Sequence, residues 1–256
     1  MNMAFYIGTA GAKSSSDKLS VSANNLANIN NHGFRPKTAA FSELVNRNLK
    51  DSEETQTGLQ TGSGVRLSKT ATDFQAGGIT QTGALTDYAL LEGNTFFMLQ
   101  DPASGEITFT RSGRFHIGQA EDGYYLMSES GKYVLDEDGE PFEAEVPDVE
   151  AMASEDYEEE DEEETDPEDL PKVGVYTFAN PSRMASRGDN EYQAPDGEEP
   201  VLVENPKLMT GALETSGTDL VKEMTRIIES QRAYSFALKM VQTSDEIEGT
   251  INSLRG

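Results

Sequence analysis

Cysteine is absent from the chain, and with it go disulfide frameworks, thiolate nucleophiles and every zinc or iron–sulfur site built on cysteine. Basic side chains are scarce: 20 lysines and arginines stand against 46 aspartates and glutamates, a formal charge of −26. A polyanion gains nothing from such a surface, which has no basic face to displace its counterions, so nucleic acid and anionic lipid are not expected partners. No stretch approaches the roughly 20 consecutive apolar residues of a membrane-spanning helix. The opening Met1-Asn2-Met3-Ala4-Phe5-Tyr6-Ile7 has none of the basic residues that begin a secretory signal, so no Sec address is expected. The two histidines, His32 and His116, are far apart in sequence and no serine or cysteine nucleophile motif accompanies them. Gly62-Ser63-Gly64 lacks the lysine and following helix of a phosphate loop. Leu135-Asp136-Glu137-Asp138-Gly139 is a poor calcium loop, because aligning its glycine to the sixth position puts Val134 at the first, where an aspartate is needed. It reads as a hairpin turn. The chain is therefore expected to be no enzyme and to hold no cofactor or metal.

What is present is a pattern of two helix-forming ends around a β-rich middle. A chain of 256 residues, 36% hydrophobic, can bury one or two cores. At the amino end Phe5, Ala12, Leu19 and Leu26 recur every seven residues, with Ala23 and Ile29 widening the stripe, which predicts an amphipathic helix. Gly8, Gly11 and Ser14-Ser15-Ser16 weaken its start, so order there requires a packing partner. Asn30-Asn31-His32-Gly33-Phe34 reads as the helix end, with Gly33 free to turn left-handed, and Arg35-Pro36 completes the stop. Segment 1–45 is thus a helical segment, and 46–88, rich in Thr, Ser, Gln and Gly with neither period, an extended connector.

Segment 89–206 is the β-rich middle. Phe96-Phe97-Met98-Leu99, Ile107-Thr108-Phe109-Thr110, Arg114-Phe115-His116-Ile117, Tyr124-Tyr125-Leu126-Met127 and Lys132-Tyr133-Val134-Leu135 are short runs punctuated by glycines, which favours hairpins. Val173 to Phe178 reads as one more strand, after which Gly, Asp, Asn and Pro dominate. Inside it, 143–171 is acidic, framed by Pro147 and Pro171, and expected to be an extended, solvated insert. Residues 155–169 alone hold twelve acids and no base.

Segment 207–256 has the clearest period: Leu220, Ile227, Tyr234 and Val241 at intervals of seven, interleaved with Met224, Gln231 and Leu238, a coiled-coil-like stripe on a helix from about 217 to 253. After Val241 the phase shifts to Ile247, Ile251 and Leu254, which changes the supercoil or marks a new contact surface. The fold class expected is α+β, with long terminal helices pairing as a coiled-coil-like hairpin around a β-rich domain. Such a seam is more than a monomer should expose, so the ends read as built for assembly.

Three segments then resemble one family, the flagellar basal-body rod and hook proteins, in their distal-rod type. Ser22-Ala23-Asn24-Asn25-Leu26-Ala27-Asn28-Ile29-Asn30 with Gly33-Phe34-Arg35 is similar to its amino-terminal motif. Leu85 to Phe97 with Phe109-Thr110-Arg111-Ser112-Gly113-Arg114-Phe115 resembles its middle domain, though Thr95 stands for the usual Gly and Phe109 for Tyr. Gly211-Ala212-Leu213-Glu214-Thr215-Ser216, continuing through Gln231-Arg232-Ala233-Tyr234, is similar to its carboxyl-terminal helix. Ser216-Gly217-Thr218 departs from the family's Ser-Asn-Val, and the glycine is expected to loosen the helix start.

The resemblance implies a structural subunit of the basal-body rod, in the bacterial cell envelope, that self-associates into a helical polymer with other rod and hook subunits. It also implies delivery by the flagellar type III export apparatus. The assembly interface is expected at Phe5, Leu19, Ala23, Asn24, Asn25, Leu26, Asn28, Ile29, Asn30, Gly33 and Phe34, and at Leu220, Met224, Ile227, Gln231, Arg232, Tyr234, Leu238 and Val241. Asn24, Asn28 and Asn31 share a face within roughly 60° at about 100° per residue, suited to hydrogen bonds between subunits, or else simply to ending the helix. Gln231 and Arg232 interrupt the apolar stripe, as register-setting polar residues do, or lie on a solvated face. The alternatives are a proximal-rod or hook subunit of the same family, and a surface binding module whose acidic loop recognises cationic partners. A glycan-cleaving enzyme would need a preorganised carboxylate pair, which a flexible acidic run does not supply.

Overall fold

The structure is a computed structural model, and it describes residues 3–45, 47–48, 60–120, 123–144, 172–195 and 197–255. It is α+β and divides into two compact units, one of residues 1–29, 36–73 and 218–256, the other of 30–35 and 74–217. Most of the acidic insert, from 145 to 171, lies outside the described residues.

The first unit holds α1 (Met3–Ala27), β1 (Lys37–Glu43), β2 (Arg47–Asn48), β3 (Gln60–Thr61), β4 (Val65–Thr72) and, at the other end of the chain, α2 (Leu220–Arg255). Strands β1 and β4 pair antiparallel from Lys37↔Thr72 to Glu43↔Val65, with a bulge between Ala40 and Phe41, and β2 pairs β3. Part of what reads as a connector is therefore a β-ribbon. Its Thr and Ser residues suit a strand exposed on one side, and so give no apolar alternation to find. Helix α2 starts at Leu220, later than expected. Asp219 Oδ1 accepts the amides of Val221 (3.0 Å) and Lys222 (3.1 Å), and the Lys222 amide holds its carboxyl below the usual range. The helix start is capped two residues beyond the glycine that was expected to loosen it.

The second unit contains β5 (Ile79–Gln81), β6 (Tyr88–Leu90), β7 (Thr95–Gln100), β8 (Ile107–Thr110), β9 (Phe115–Gln119), β10 (Tyr124–Ser128), β11 (Tyr133–Val134), β12 (Val175–Thr177), β13 (Ala185–Gly188), β14 (Glu191–Gln193), β15 (Val201–Leu202), β16 (Leu208–Thr210) and β17 (Ala212–Glu214). Among the described residues its main sheet has nine strands, in the order β13-β14-β8-β7-β11-β10-β9, with β12 on β7 and β15 on β12. Strand β7 is central, pairing β8 on one side and β12 and β11 in succession on the other. Both its faces are covered, which is why it reads as a continuous apolar run. Phe96 and Met98 enter a cluster with Phe74, Phe109, Phe178 and Tyr192; Phe97 and Leu99 enter another with Phe115, Leu126 and Val134. Edge-to-face ring pairs tighten both, Phe109–Phe178 at 4.8 Å and Phe97–Phe115 at 5.1 Å. The hairpin β13–β14 lies in the stretch that reads as irregular. Its turn is made by Asp189 and Asn190, at φ 47° and 59°, residue types that tolerate the left-handed region. In the expected turn after Leu135, Asp136 Oδ1 accepts the amides of Asp138 and Glu140, both at 2.9 Å, and Gly139 is at φ +82°.

The second unit is closed by charge. Arg35, Arg111 and Glu214 have side chains 0–1% exposed. Glu214 Oε1 accepts Arg35 Nη2 (2.7 Å) and the Gly77 amide (2.6 Å); its Oε2 accepts Arg111 Nε (3.0 Å) and Nη2 (2.9 Å). Arg111 Nη1 donates to the carbonyls of Glu92, Gly93 and Thr95, its Nη2 also to that of Leu90, and Arg35 Nη1 to that of Gln75. Burial, and next the charge of Arg35, press Arg111 down to about 10, and it stays cationic at neutral pH. A second network joins Lys132 Nζ to Glu191 Oε2 (2.5 Å), with Thr108 and Ser130 hydroxyls on the same carboxylate.

Removing Glu214 leaves two buried guanidiniums facing each other, so Glu214→Ala is expected to cost about 3–5 kcal/mol. Urea unfolding followed by tyrosine fluorescence measures it; an unchanged midpoint would refute the account. Tyr192 supplies a pH test. Burial pushes its phenol up to about 12, above the ordinary value of 10.0. A raised folded-state pKa means stability that is whole below pH 10 and is lost as pH rises towards 12. Tyr192→Phe should therefore lose less stability than the natural chain over that window, by on the order of 2 kcal/mol, in urea titrations at stepped pH.

Candidate assembly surface

Helices α1 and α2 lie side by side and antiparallel. Lys18 Nζ is 3.7 Å from Glu229 Oε2, Gly11 faces Ala237, and Gly8 faces Val241. The seam is made of small residues. A Cβ added at Gly8 would fall 2.9 Å from Val241 Cγ2, so the backbones meet where only hydrogen fits. From the other side Glu223, Ser230 and Ser244 are buried and Ala237 half-buried, a row at intervals of seven. Arg226 Nη1 holds Glu223 Oε1 at 2.6 Å.

Because small residues fill the seam, the large apolar ones lie elsewhere. Val221 is 73% exposed, Ile228 52%, Phe236 65%, Met240 56% and Leu254 82%. Of the residues expected at the interface, Phe5, Ala23, Asn24, Asn30, Leu220, Met224, Gln231, Arg232, Tyr234 and Leu238 are exposed. Leu19, Leu26, Asn28, Ile29, Ile227 and Val241 are half-buried. The Asn28 side chain donates to its own helix, at Asn24 O (2.8 Å). Three are internal. Asn25 is wholly buried, its Nδ2 donating to Lys37 O (2.7 Å) and its Oδ1 accepting Lys37 N (2.9 Å), which pins the strand entry to the helix. Phe34 is 8% exposed. Gly33, at φ +67°, has no room for a side chain because a Cβ would lie 2.6 Å from the Arg111 carbonyl group.

The three motif segments thus meet inside the second unit. Gly33-Phe34-Arg35 brings one arginine, Phe109-Thr110-Arg111 the other, and Gly211-Ala212-Leu213-Glu214 the carboxylate; the Gly33 amide also donates to Glu214 O (2.9 Å). Sequence reading quoted these residues but assigned Arg35, Arg111 and Glu214 no role. A charged residue in each of three otherwise apolar or glycine-rich motifs was the available signal. No group of three or more His, Asp or Glu among the described residues is placed to hold a metal ion, and no helix among them is long and apolar enough to cross a membrane.

A family model for the C-terminal region of the flagellar basal body rod FlgEFG proteins matches residues 209–254, from β16 through almost all of α2. The chain is similar to the flagellar basal-body rod proteins. Its similarity to rod proteins runs the whole length. It is 29% identical to the flagellar basal-body rod protein FlgG of Buchnera aphidicola subsp. Baizongia pistaciae over 95% of this chain and 96% of that one. It is 27% identical to FlgG of Borreliella burgdorferi over 100% and 99%. The flagellar basal-body rod protein FlgF of Caulobacter vibrioides is 28% identical over 96% and 95%. The matched C-terminal region holds both the carboxylate of the buried cluster and the helix with the exposed apolar surface.

If the seam depends on bare backbone at Gly8, Gly8→Leu should separate the helices. The expected loss is about 1–3 kcal/mol for overpacking, seen as an earlier melting step at 222 nm with the β unit's transition unchanged.

Proposed function

We propose that the chain is a structural subunit of the flagellar rod, of the distal type that its three motifs resemble, and that its work is mechanical. One observation supports this above the rest: the terminal helices bind each other through small residues and turn their large apolar ones outward, from Phe5 to Leu254. Exposed apolar area of that extent on paired helices is buried by neighbouring copies in a polymer. The row of buried Glu223, Ser230 and Ser244 with half-buried Ala237 supports a coiled-coil-like pairing, tighter than leucine-filled seams. The terminal segments 1–45 and 207–256 then form the wall of the polymer. The exposed interface residues Phe5, Ala23, Asn24, Asn30, Leu220, Met224, Gln231, Arg232, Tyr234 and Leu238 make the subunit contacts. Other rod and hook subunits are the axial neighbours, and the type III apparatus of the flagellum delivers the chain to the basal body. Gly8, Gly11 and the serines of α1 fit that route, since a helix weak by itself folds on docking.

Electron microscopy of isolated basal bodies tests the reading. Cells whose copy lacks residues 217–256, or carries Phe236→Asp on the exposed face, should have lost the distal rod and everything outward of it while keeping the inner structures. Complete, motile flagella in both strains would mean that the helices serve another partner.

A further inference from the structure

The charge of the chain is divided unequally between its two units. The first unit, of residues 1–29, 36–73 and 218–256, holds 12 lysines and arginines against 12 aspartates and glutamates and is neutral in sum. The second, of residues 30–35 and 74–217, holds 8 against 34, so the whole of the formal charge of −26 belongs to it. Fifteen of those acids lie between 145 and 171; the other 19 still outnumber the bases by 11.

Six of the eight bases are held by acids of the same unit. Arg35 and Arg111 are buried on Glu214, Lys132 is bound to Glu191, Arg114 to Glu129, Arg187 to Glu106 and Lys207 to Glu92. Asp138, Glu140, Asp189, Glu199 and Glu204 are exposed and outside all of these pairs. They stand in the turn after Leu135, in the β13–β14 turn and on either side of β15 in the chain, so the charge is spread over several turns and not held in one patch. The large apolar side chains exposed on α2, Val221, Phe236 and Leu254 among them, belong instead to the neutral unit.

Two opposed forces therefore act between copies, and they come from different parts of the chain. Coulomb repulsion between the second units reaches about 30 Å in ~0.01 M salt, about 8 Å in ~0.15 M and only about 3 Å in ~1 M. Burial of apolar surface on the neutral helical pair acts at contact and is not screened. Resting on the rod reading, we infer that ionic strength gates association of the chain: the charge of the second unit holds copies apart in dilute salt, and screening releases the contacts made by the first. The residues that set the threshold are not the residues that make the contact. Because repulsion follows the product of two net charges, it depends on how many acids are removed and not on which.

Light scattering of the purified full chain, read as the second virial coefficient between 0.01 M and 1 M sodium chloride, tests this over the range in which screening changes most. The natural chain should be repulsive in dilute salt and turn attractive as salt rises. Replacing the twelve acids of 155–169 by their amides lowers the net charge from −26 to −14 and should cut the low-salt repulsion roughly threefold, moving the crossover to lower salt. Asp138→Asn, Glu140→Gln, Glu199→Gln and Glu204→Gln together leave −22 and should cut it by roughly a quarter. Phe236→Asp should keep the repulsion and weaken the attraction at high salt. A coefficient without salt dependence, or neutralised chains that scatter as the natural one does, would overturn the gating and leave the rod reading in place. High-salt attraction undiminished by Phe236→Asp would put the released contact off α2 and overturn it too. Repulsion that persists at the highest salt would mean that copies have no contact to release, which removes the rod reading and this inference with it.

Discussion

One carboxylate organises the β-rich unit. Glu214 lies in the last strand before the C-terminal helix, and the two guanidiniums it binds come from just after the N-terminal helix and from the middle of the sheet. A carboxylate this deeply buried is tolerated only because both oxygens are used, and Arg111 because the carbonyls of Leu90, Glu92, Gly93 and Thr95 take its remaining protons. The arrangement joins segments separated by 179 positions in the chain. The unit therefore cannot close around its aromatic core until both of its flanking segments have arrived. Its fold is a property of residues 30–35 and 74–217 together, and a fragment cut at the edges of the apolar runs would lack two of the three charges.

The first unit solves a different problem. Helices that pair through leucines use up their apolar side chains on each other. Here glycine, alanine and serine bring the backbones close, and the apolar side chains of α2 stay available on other faces. Intramolecular pairing and intermolecular contact therefore do not compete for the same residues.

How much of this was legible in the sequence depended on the signal each element left. The terminal helices declared themselves through apolar residues at intervals of seven, and β7 to β11 through short apolar runs between glycines. The seam did not, because Ser230, Ala237 and Ser244 carry no hydropathy signal; the sevenfold period that stood out belongs partly to a face turned away from α1. Strands β1 and β4 hid because Thr, Ser and Lys on an exposed ribbon alternate without contrast, and β13–β14 because its turn residues outnumber its apolar ones. The Asn-rich segment at the end of α1 reads as one polar cluster, yet Asn25 is an internal clamp and Asn24 is exposed. Only the two-point contact with Lys37 separates them, and that contact depends on where the chain goes next. The buried charges escaped for the same reason: an arginine in a motif reads as surface until its partner, far along the chain, is seen.

The close fit at Gly8 also governs how the helical pair responds to force along its length. For α1 to slip against α2 it must move by about one turn, 5.4 Å, and Val241 would then face Ala4 or Ala12, whose methyl groups occupy the space that Gly8 leaves open. A methyl group would then stand where the seam now has only hydrogen, so the contact at Gly8 opposes that shift and carries a push on one helix to the other.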